Sequence, residues 1–143
     1  MRYFFVALYK RMSIKVEEWR WSPLWTKDEW GPKGWRWLHM MAIEYPVEPM
    51  ALDKRRAAVR IQNFLSNLPC SLCRTHAKAY YKKYPPSFGS SHQLQGWVWR
   101  FHNSVNRRLG KPPLYYKDYL KLYMSELCWA NWSQQCQNLS DGK

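Results

Sequence analysis

The sequence predicts an all-α fold: a four-helix bundle with a short fifth helix, an N-terminal extension and a C-terminal tail. Three observations predict it. Four segments repeat apolar residues at three- and four-residue steps, which places them along one side of a helix. Proline and glycine punctuate those segments at Pro46, Pro69, Pro85-Pro86 and Gly110-Lys111-Pro112-Pro113, where helices stop. Period-two alternation persists nowhere, and no internal repeat occurs. At 143 residues the chain has room for one domain with a modest core.

Residues 1–28 read as a basic, aromatic extension in which Trp19, Trp21 and Trp25 surround Ser22-Pro23 and are expected to lie on the body. The domain is expected over 29–127 and a polar tail over 128–143. Gly31-Pro32-Lys33-Gly34-Trp35 reads as a turn opening the first helix. Trp35, Leu38, Ala42 and Tyr45 then face inward, with His39 beside them, and Pro46 ends the element. Asp53 reads as the N-cap of a second helix. Its apolar stripe is Ala57, Ile61, Phe64 and Leu65, and it closes at Leu68-Pro69, because a residue before proline avoids the helical region. A third helix runs from Cys70 and Cys73 through Ala77, Tyr80 and Tyr81 to Tyr84. After a Gly/Ser loop, a fourth spans His92 to Leu109 with Leu94, Trp97, Val98, Phe101, Val105 and Leu109 for burial. The fifth, Tyr116 to about Leu127, presents Tyr119, Leu120 and Tyr123.

Composition narrows the function classes. The 10 Trp and 10 Tyr suit a small core wrapped around a planar ligand, although filling a helical core is the task of most of them. A net charge of +13 favours polyanions, an acidic partner protein or an anionic cofactor. The Lys and Arg residues are spread rather than massed, which weakens a nucleic-acid reading. No run of 18 or more apolar residues occurs, so no membrane span is expected. The N-terminus lacks a small-residue cleavage site, so no secretory signal is expected.

Two constellations carry chemistry. The first is Pro69-Cys70-Ser71-Leu72-Cys73. Proline suits a first helical turn, and the N-terminal end of a helix favours a thiolate, which makes a better nucleophile. A redox pair, zinc ligands and two structural cysteines all fit that spacing. The second is His102-Asn103-Ser104-Val105-Asn106. His102, Val105, Asn106 and Leu109 fall on one face, and polar groups on an otherwise apolar face need partners, since leaving one unsatisfied costs about 1–3 kcal/mol. A polar planar cofactor offers such partners, and Arg107, Arg108 and Lys111 follow at the helix end, placed for phosphate.

Trp30-Gly31-Pro32-Lys33-Gly34-Trp35 with Leu38-His39, Tyr45-Pro46, the Cys70–Cys73 motif, Trp97 and His102 through Pro112 together resemble the Erv/ALR family of FAD-dependent sulfhydryl oxidases, in order and in spacing. The compactness is similar to the short forms encoded by large DNA viruses. The resemblance implies that Cys73 sits against the flavin and Cys70 exchanges with an incoming dithiol, while FAD passes electrons to O₂ and gives H₂O₂. It implies FAD contacts from Trp30, Gly31, Trp35, His39 and Tyr45 on the first helix. From Trp97, His102, Asn103, Val105, Asn106, Leu109, Lys111 and Tyr123 it implies the rest.

The resemblance also implies a protein dithiol as substrate, thioredoxin-like or a viral redox relay protein, and a homodimer. Its setting would be a virus assembly site in host cytoplasm or the virion, or the mitochondrial intermembrane space for a cellular form. Relatives of this kind carry a second, structural disulfide around the fourth helix. Trp99 and Tyr116 stand at those places here, so packing, FAD or dimerisation must hold the domain instead. Cys128 and Cys136 lie beyond the matched region and fit a shuttle pair, a stabilising disulfide or separate thiols. A zinc- or nucleic-acid-binding basic helical module using Cys70, Cys73, His76 and a later cysteine, together with the +13 charge, is the alternative, and it lacks a second close ligand pair.

Overall fold

Four helices, α1 (Lys27–Glu44), α2 (Ala51–Ser66), α3 (Ser71–Lys83) and α4 (Ser91–Arg108), and a short α5 (Tyr116–Tyr119) that widens into a π-helical turn (Leu120–Met124) build the computed structural model. It describes residues 20–124, and no strand occurs among them. Trp19, Cys128, Cys136 and the tail expected over 128–143 lie outside the described residues. No helix in the described part is long and apolar enough to cross a membrane.

The start of α1 differs from the expected turn. The helix begins at Lys27, passes through Gly31, and holds Pro32 inside it. Thr26 and Glu29 set that start: the Glu29 carboxylate accepts from the Thr26 backbone N–H at 2.7 Å and from its hydroxyl at 3.1 Å. They fix the start ahead of Pro32, which removes one backbone hydrogen bond from the helix. Asp53 also acts one turn later than expected. It is the third residue of α2, and its carboxylate accepts from the backbone N–H of Met50, the actual N-cap.

The other boundaries of α1 to α4 and the start of α5 lie within a residue or two of expectation, and the end expected for the fifth helix near Leu127 lies outside the described residues. Ser90 caps α4 by accepting from the Gln93 N–H at 3.2 Å. Gly110 follows α4 at φ 67, the left-handed conformation in which a glycine without a Cβ ends a helix at least strain.

The core is the meeting of the expected stripes. Leu38, Met41, Ala42, Ile61, Phe64, Leu65, Leu94, Trp97, Val98 and Phe101 are all buried. The end of α1 is pinned to the start of α4, since the buried Ser91 hydroxyl donates to the Ala42 carbonyl at 2.9 Å and the Tyr45 hydroxyl donates to Phe88 at 2.8 Å. Trp21, from the N-terminal extension, lies on this body 5.2 Å from the Phe64 ring and 5.5 Å from Trp30. It closes over Gly34, where any Cβ would come within 3.0 Å of its indole.

A clamp joins α4 to the segment that leads into α5. The Trp99 indole N–H donates to the Leu114 carbonyl at 2.7 Å, and the Trp99 ring meets Tyr116 edge-on at 6.0 Å. The Asn103 side chain pairs with both backbone groups of Leu114, donating to its carbonyl at 3.0 Å and accepting from its N–H at 2.7 Å. Trp99 and Tyr116 thus touch where the sequence had left open what replaces a disulfide.

Candidate active site

Cys70 is the N-cap of α3, and its sulfur accepts from the Cys73 backbone N–H at 3.2 Å. Pro69 before it cannot continue α2, so the chain turns and offers both thiols at the start of a helix. There they form a disulfide, with 5.1 Å between their Cα atoms. Paired with each other in this way, the two cysteines are not arranged as zinc thiolates.

Beside the disulfide lies a cleft of about 740 Å³, within the range of small-molecule and cofactor sites. Cys73 is in its wall and Cys70 is not. The wall draws on α1 to α4 and on the π turn. Trp30, Gly31 and Trp35 come from α1, Phe64 and Leu65 from α2, His76, Tyr80 and Lys83 from α3, and His102, Val105, Asn106 and Arg108 from α4, with Leu109 and Lys111 just past its end and Tyr123 from the π turn. Aromatic planes and a few cations in one cleft suit a planar ligand that carries anionic groups.

Four residues expected at the cofactor do not line that cleft. Trp97 is buried, donates its indole N–H to the Tyr84 carbonyl at 2.6 Å and stacks on Phe101 at 5.4 Å. Tyr45 is held by Phe88, and the Asn103 amide by Leu114. His39 is fully buried. The helix explains Asn103: it lies about 100° round from His102, off the face shared by His102, Val105, Asn106 and Leu109. Conversely, Tyr80, Phe101, Ser104 and Arg108 line the cleft without having been singled out as contacts. Of these only Arg108 carried a signal, its place in the basic end of α4.

The polar heart of the site is a histidine pair. His39 Nε2 and His102 Nδ1 lie 2.9 Å apart, one donating to the other. Trp35 stacks on His102 at 3.9 Å, with 6° between the planes, and Tyr123 lies on the other side, stacked on His39 at 4.2 Å. Tyr119, fully buried, also packs against His39 at 5.2 Å and donates its hydroxyl to Gln95 at 2.7 Å. The remaining ring nitrogen of His39, Nδ1, is buried without a hydrogen-bond partner.

Burial, with the neighbouring His102, holds the His39 pKa at about 3; burial, with Lys111, holds His102 at about 4. Both rings are therefore neutral at pH 7. Between those values and the ordinary 6.5 the native protein binds fewer protons than the unfolded chain, so stability rises with pH in that window and is lost as pH falls through it. Unfolding free energies from urea titrations are expected to drop steadily from pH 6.5 to pH 5, above most carboxylate titration, by up to about 1.4 kcal/mol per pH unit for each histidine. A flat profile there would show that the pair charges without penalty.

Comparison with known proteins followed the same outline. A profile described as the Erv1 / Alr family matches residues 32–127. An African swine fever virus protein (isolate Pig/Kenya/KEN-50/1950) named FAD-linked sulfhydryl oxidase is 42% identical over 94 residues, covering 66% of this chain and 79% of its own. A rice (Oryza sativa subsp. japonica) protein named FAD-linked sulfhydryl oxidase ERV1 is 40% identical over 92 residues, 64% of this chain and 46% of its own. Among solved structures, the FAD binding domain of Erv1 from Saccharomyces cerevisiae superposes with a TM-score of 0.62 at 28% identity, over 65% of this chain and 89% of that one.

Proposed function

The chain belongs to the Erv1/Alr family and is a FAD-dependent sulfhydryl oxidase, and we propose that Cys70 and Cys73 are the pair through which it makes disulfides. The observation that carries this reading is the disulfide with one sulfur in the cleft wall and the other outside it.

The residues present fit the cofactor. Stacked aromatic rings, with Arg108 and Lys111 in the same cleft, suit a flavin dinucleotide with its pyrophosphate, and just behind that wall His39 Nδ1 is buried without a partner. Trp35, His102, Val105, Asn106 and Tyr123 would hold it, with His39 packed behind Trp35, His102 and Tyr123, and Trp97 behind Tyr80 and Phe101. Bound there, FAD would supply the two-electron acceptor for the reduced pair and the link to O₂, with H₂O₂ as product.

The protein's own part is thiol–disulfide exchange. A substrate thiolate attacks the Cys70 sulfur, the Cys70–Cys73 bond breaks, and Cys73 leaves as a thiolate in the cleft wall. The second substrate thiol, deprotonated, then attacks the substrate sulfur of the mixed disulfide and releases Cys70. Two electrons have passed from the substrate to the pair and two protons to solvent. The end of α3 that holds Cys70 favours negative charge on sulfur, which eases both departures.

The substrate is a protein dithiol, and Leu52 and Val59, exposed seven residues apart on α2, support a homodimer by offering an apolar seam. Similarity to the African swine fever virus protein supports a role where virions assemble. The intermembrane space of mitochondria is the corresponding place for a cellular form.

The test is the visible spectrum of the purified protein. Flavin bands that bleach under dithiothreitol and return in air are expected. A colourless protein that takes up no added FAD would overturn the reading.

A further inference from the structure

Between Asp53 and Asp118 the sequence has no aspartate or glutamate, and the 64 residues in between hold 13 Lys and Arg, more than half of the chain's 23. This stretch supplies nearly all of α2, both cysteines, α3 and α4. Of the acidic residues of α1 and the start of α2, Glu29 faces Thr26, Asp53 faces Met50 and Glu44 lies near Arg60, while Asp28 stands in the cleft wall, outnumbered there by Lys27, Lys83, Arg108 and Lys111. An average surface interleaves both signs, so such a gap over three helices leaves a positive field around the reactive disulfide.

Within that field one row is ordered with respect to the chemistry. Counting in steps of four from Cys70 gives Arg74, Lys78 and Lys82. Steps of four stay on one side of a helix with a slow drift, so the row starts at the outer sulfur and runs about 18 Å along α3. Lys78 and Lys82 are exposed, and Arg74 is anchored by donating to the Leu68 carbonyl, just before the thiols. Leu72, between the two cysteines, is 62% exposed. Neither Lys78 nor Lys82 lines the cleft, so the row is separate from the cations that face a cofactor there.

We propose that Leu72 and the row Arg74–Lys78–Lys82 form a docking surface for acidic protein dithiols, which this enzyme oxidises in preference to neutral or basic ones. The proposal rests on the oxidase reading and names its substrate class. The field raises the encounter rate of an acidic partner. It also favours the thiolate of the incoming cysteine, the form that attacks Cys70. A protein fits better than a nucleic acid because the row begins at a disulfide, which needs a thiol partner, and because an apolar residue stands at its head.

The test uses the FAD-loaded full chain and one reduced Cys-X-X-Cys peptide made in glutamate-rich, glutamine-rich and lysine-rich versions, with dithiothreitol as the uncharged reference. At low salt kcat/KM is expected to fall in that order, by about tenfold between glutamate-rich and glutamine-rich peptides. The three are expected to converge as salt rises from about 0.01 to about 0.1 M and the Debye length shrinks from about 30 to about 10 Å. K78E/K82E should lower the glutamate-rich value by about tenfold and K78Q/K82Q by less, with dithiothreitol turnover unchanged in both.

Equal kcat/KM for the three peptides, or a ranking that survives both variants, overturns the proposal. So does retention of duplex DNA that K78E/K82E abolishes while the peptide ranking stays, which would assign the row to nucleic acid. Wild-type protein that fails to oxidise dithiothreitol at all would sink the oxidase reading, and the proposal with it. Dithiothreitol turnover without a peptide ranking sinks the proposal alone.

Discussion

Cys73→Ser is expected to lower thiol oxidation by at least about a thousandfold, because the exchange then has no disulfide to break and the cleft no sulfur to receive electrons. Cys70→Ser should be as damaging for the same reason, so activity alone does not separate the two roles. Geometry does. Cys73 lines the cleft and Cys70 does not, although both are part-exposed. In the Cys70→Ser protein, bound FAD should therefore slow alkylation of the remaining Cys73 by iodoacetamide. In the Cys73→Ser protein it should leave Cys70 as reactive as before. Equal protection of both thiols would mean that the assignment of inner and outer sulfur is wrong, and turnover that survives either substitution would remove the pair from the chemistry altogether.

The largest effect on stability is expected at Trp97. Its side chain is 1% exposed, stacks on Phe101, meets Tyr80 and Tyr81 at 6.0 Å each, and ties the end of α3 to α4 through the Tyr84 carbonyl. Trp97→Ala removes a large aromatic volume that its neighbours cannot refill, at about 3–5 kcal/mol. Against a domain stability of about 5–15 kcal/mol that is a large share. Trp97→Phe keeps most of the packing and takes only the indole donor, leaving Tyr84 without it, for about 1–3 kcal/mol. The order wild type, Phe, Ala in urea midpoints is the check. An alanine variant as stable as wild type would place Trp97 outside the core. Because Tyr80 and Phe101 line the cleft, the same variants should also hold FAD less firmly, in the same order.

Much of the bundle was readable because its elements depend on local pattern. The α2 stripe of Ala57, Ile61, Phe64 and Leu65 is buried as spaced, and Pro85-Pro86 lies just past the end of α3. What escaped were contacts in which a side chain reaches backward. Glu29 and Asp53 both sit in the third position of their helix and satisfy the residue three before, so the true starts lie ahead of the residues that draw the eye. At the site, Cys73, His102, Asn106, Lys111 and Tyr123 come together from segments far apart in sequence, and their residue types already hinted at a shared ligand. Tyr80 and Phe101 gave no such hint, because an aromatic at helical spacing reads the same whether it faces a core or a cleft. Asn103 was legible in principle, since the helical angle separates it from Asn106, but sitting beside His102 in one motif masked the difference.

The clamp of Trp99 and Asn103 on Leu114 has a consequence for how the molecule outlasts its own chemistry. An oxidase of this kind meets reductant at every cycle. Among the described residues there is a single sulfur–sulfur bond, the one proposed to be consumed and remade in turnover. The joint between α4 and α5 is made of amide, indole and ring contacts, none of which a thiol attacks. No sulfur takes part in that joint, so Tyr119 and Tyr123 are expected to keep their station over His39 whether the Cys70–Cys73 pair is open or closed.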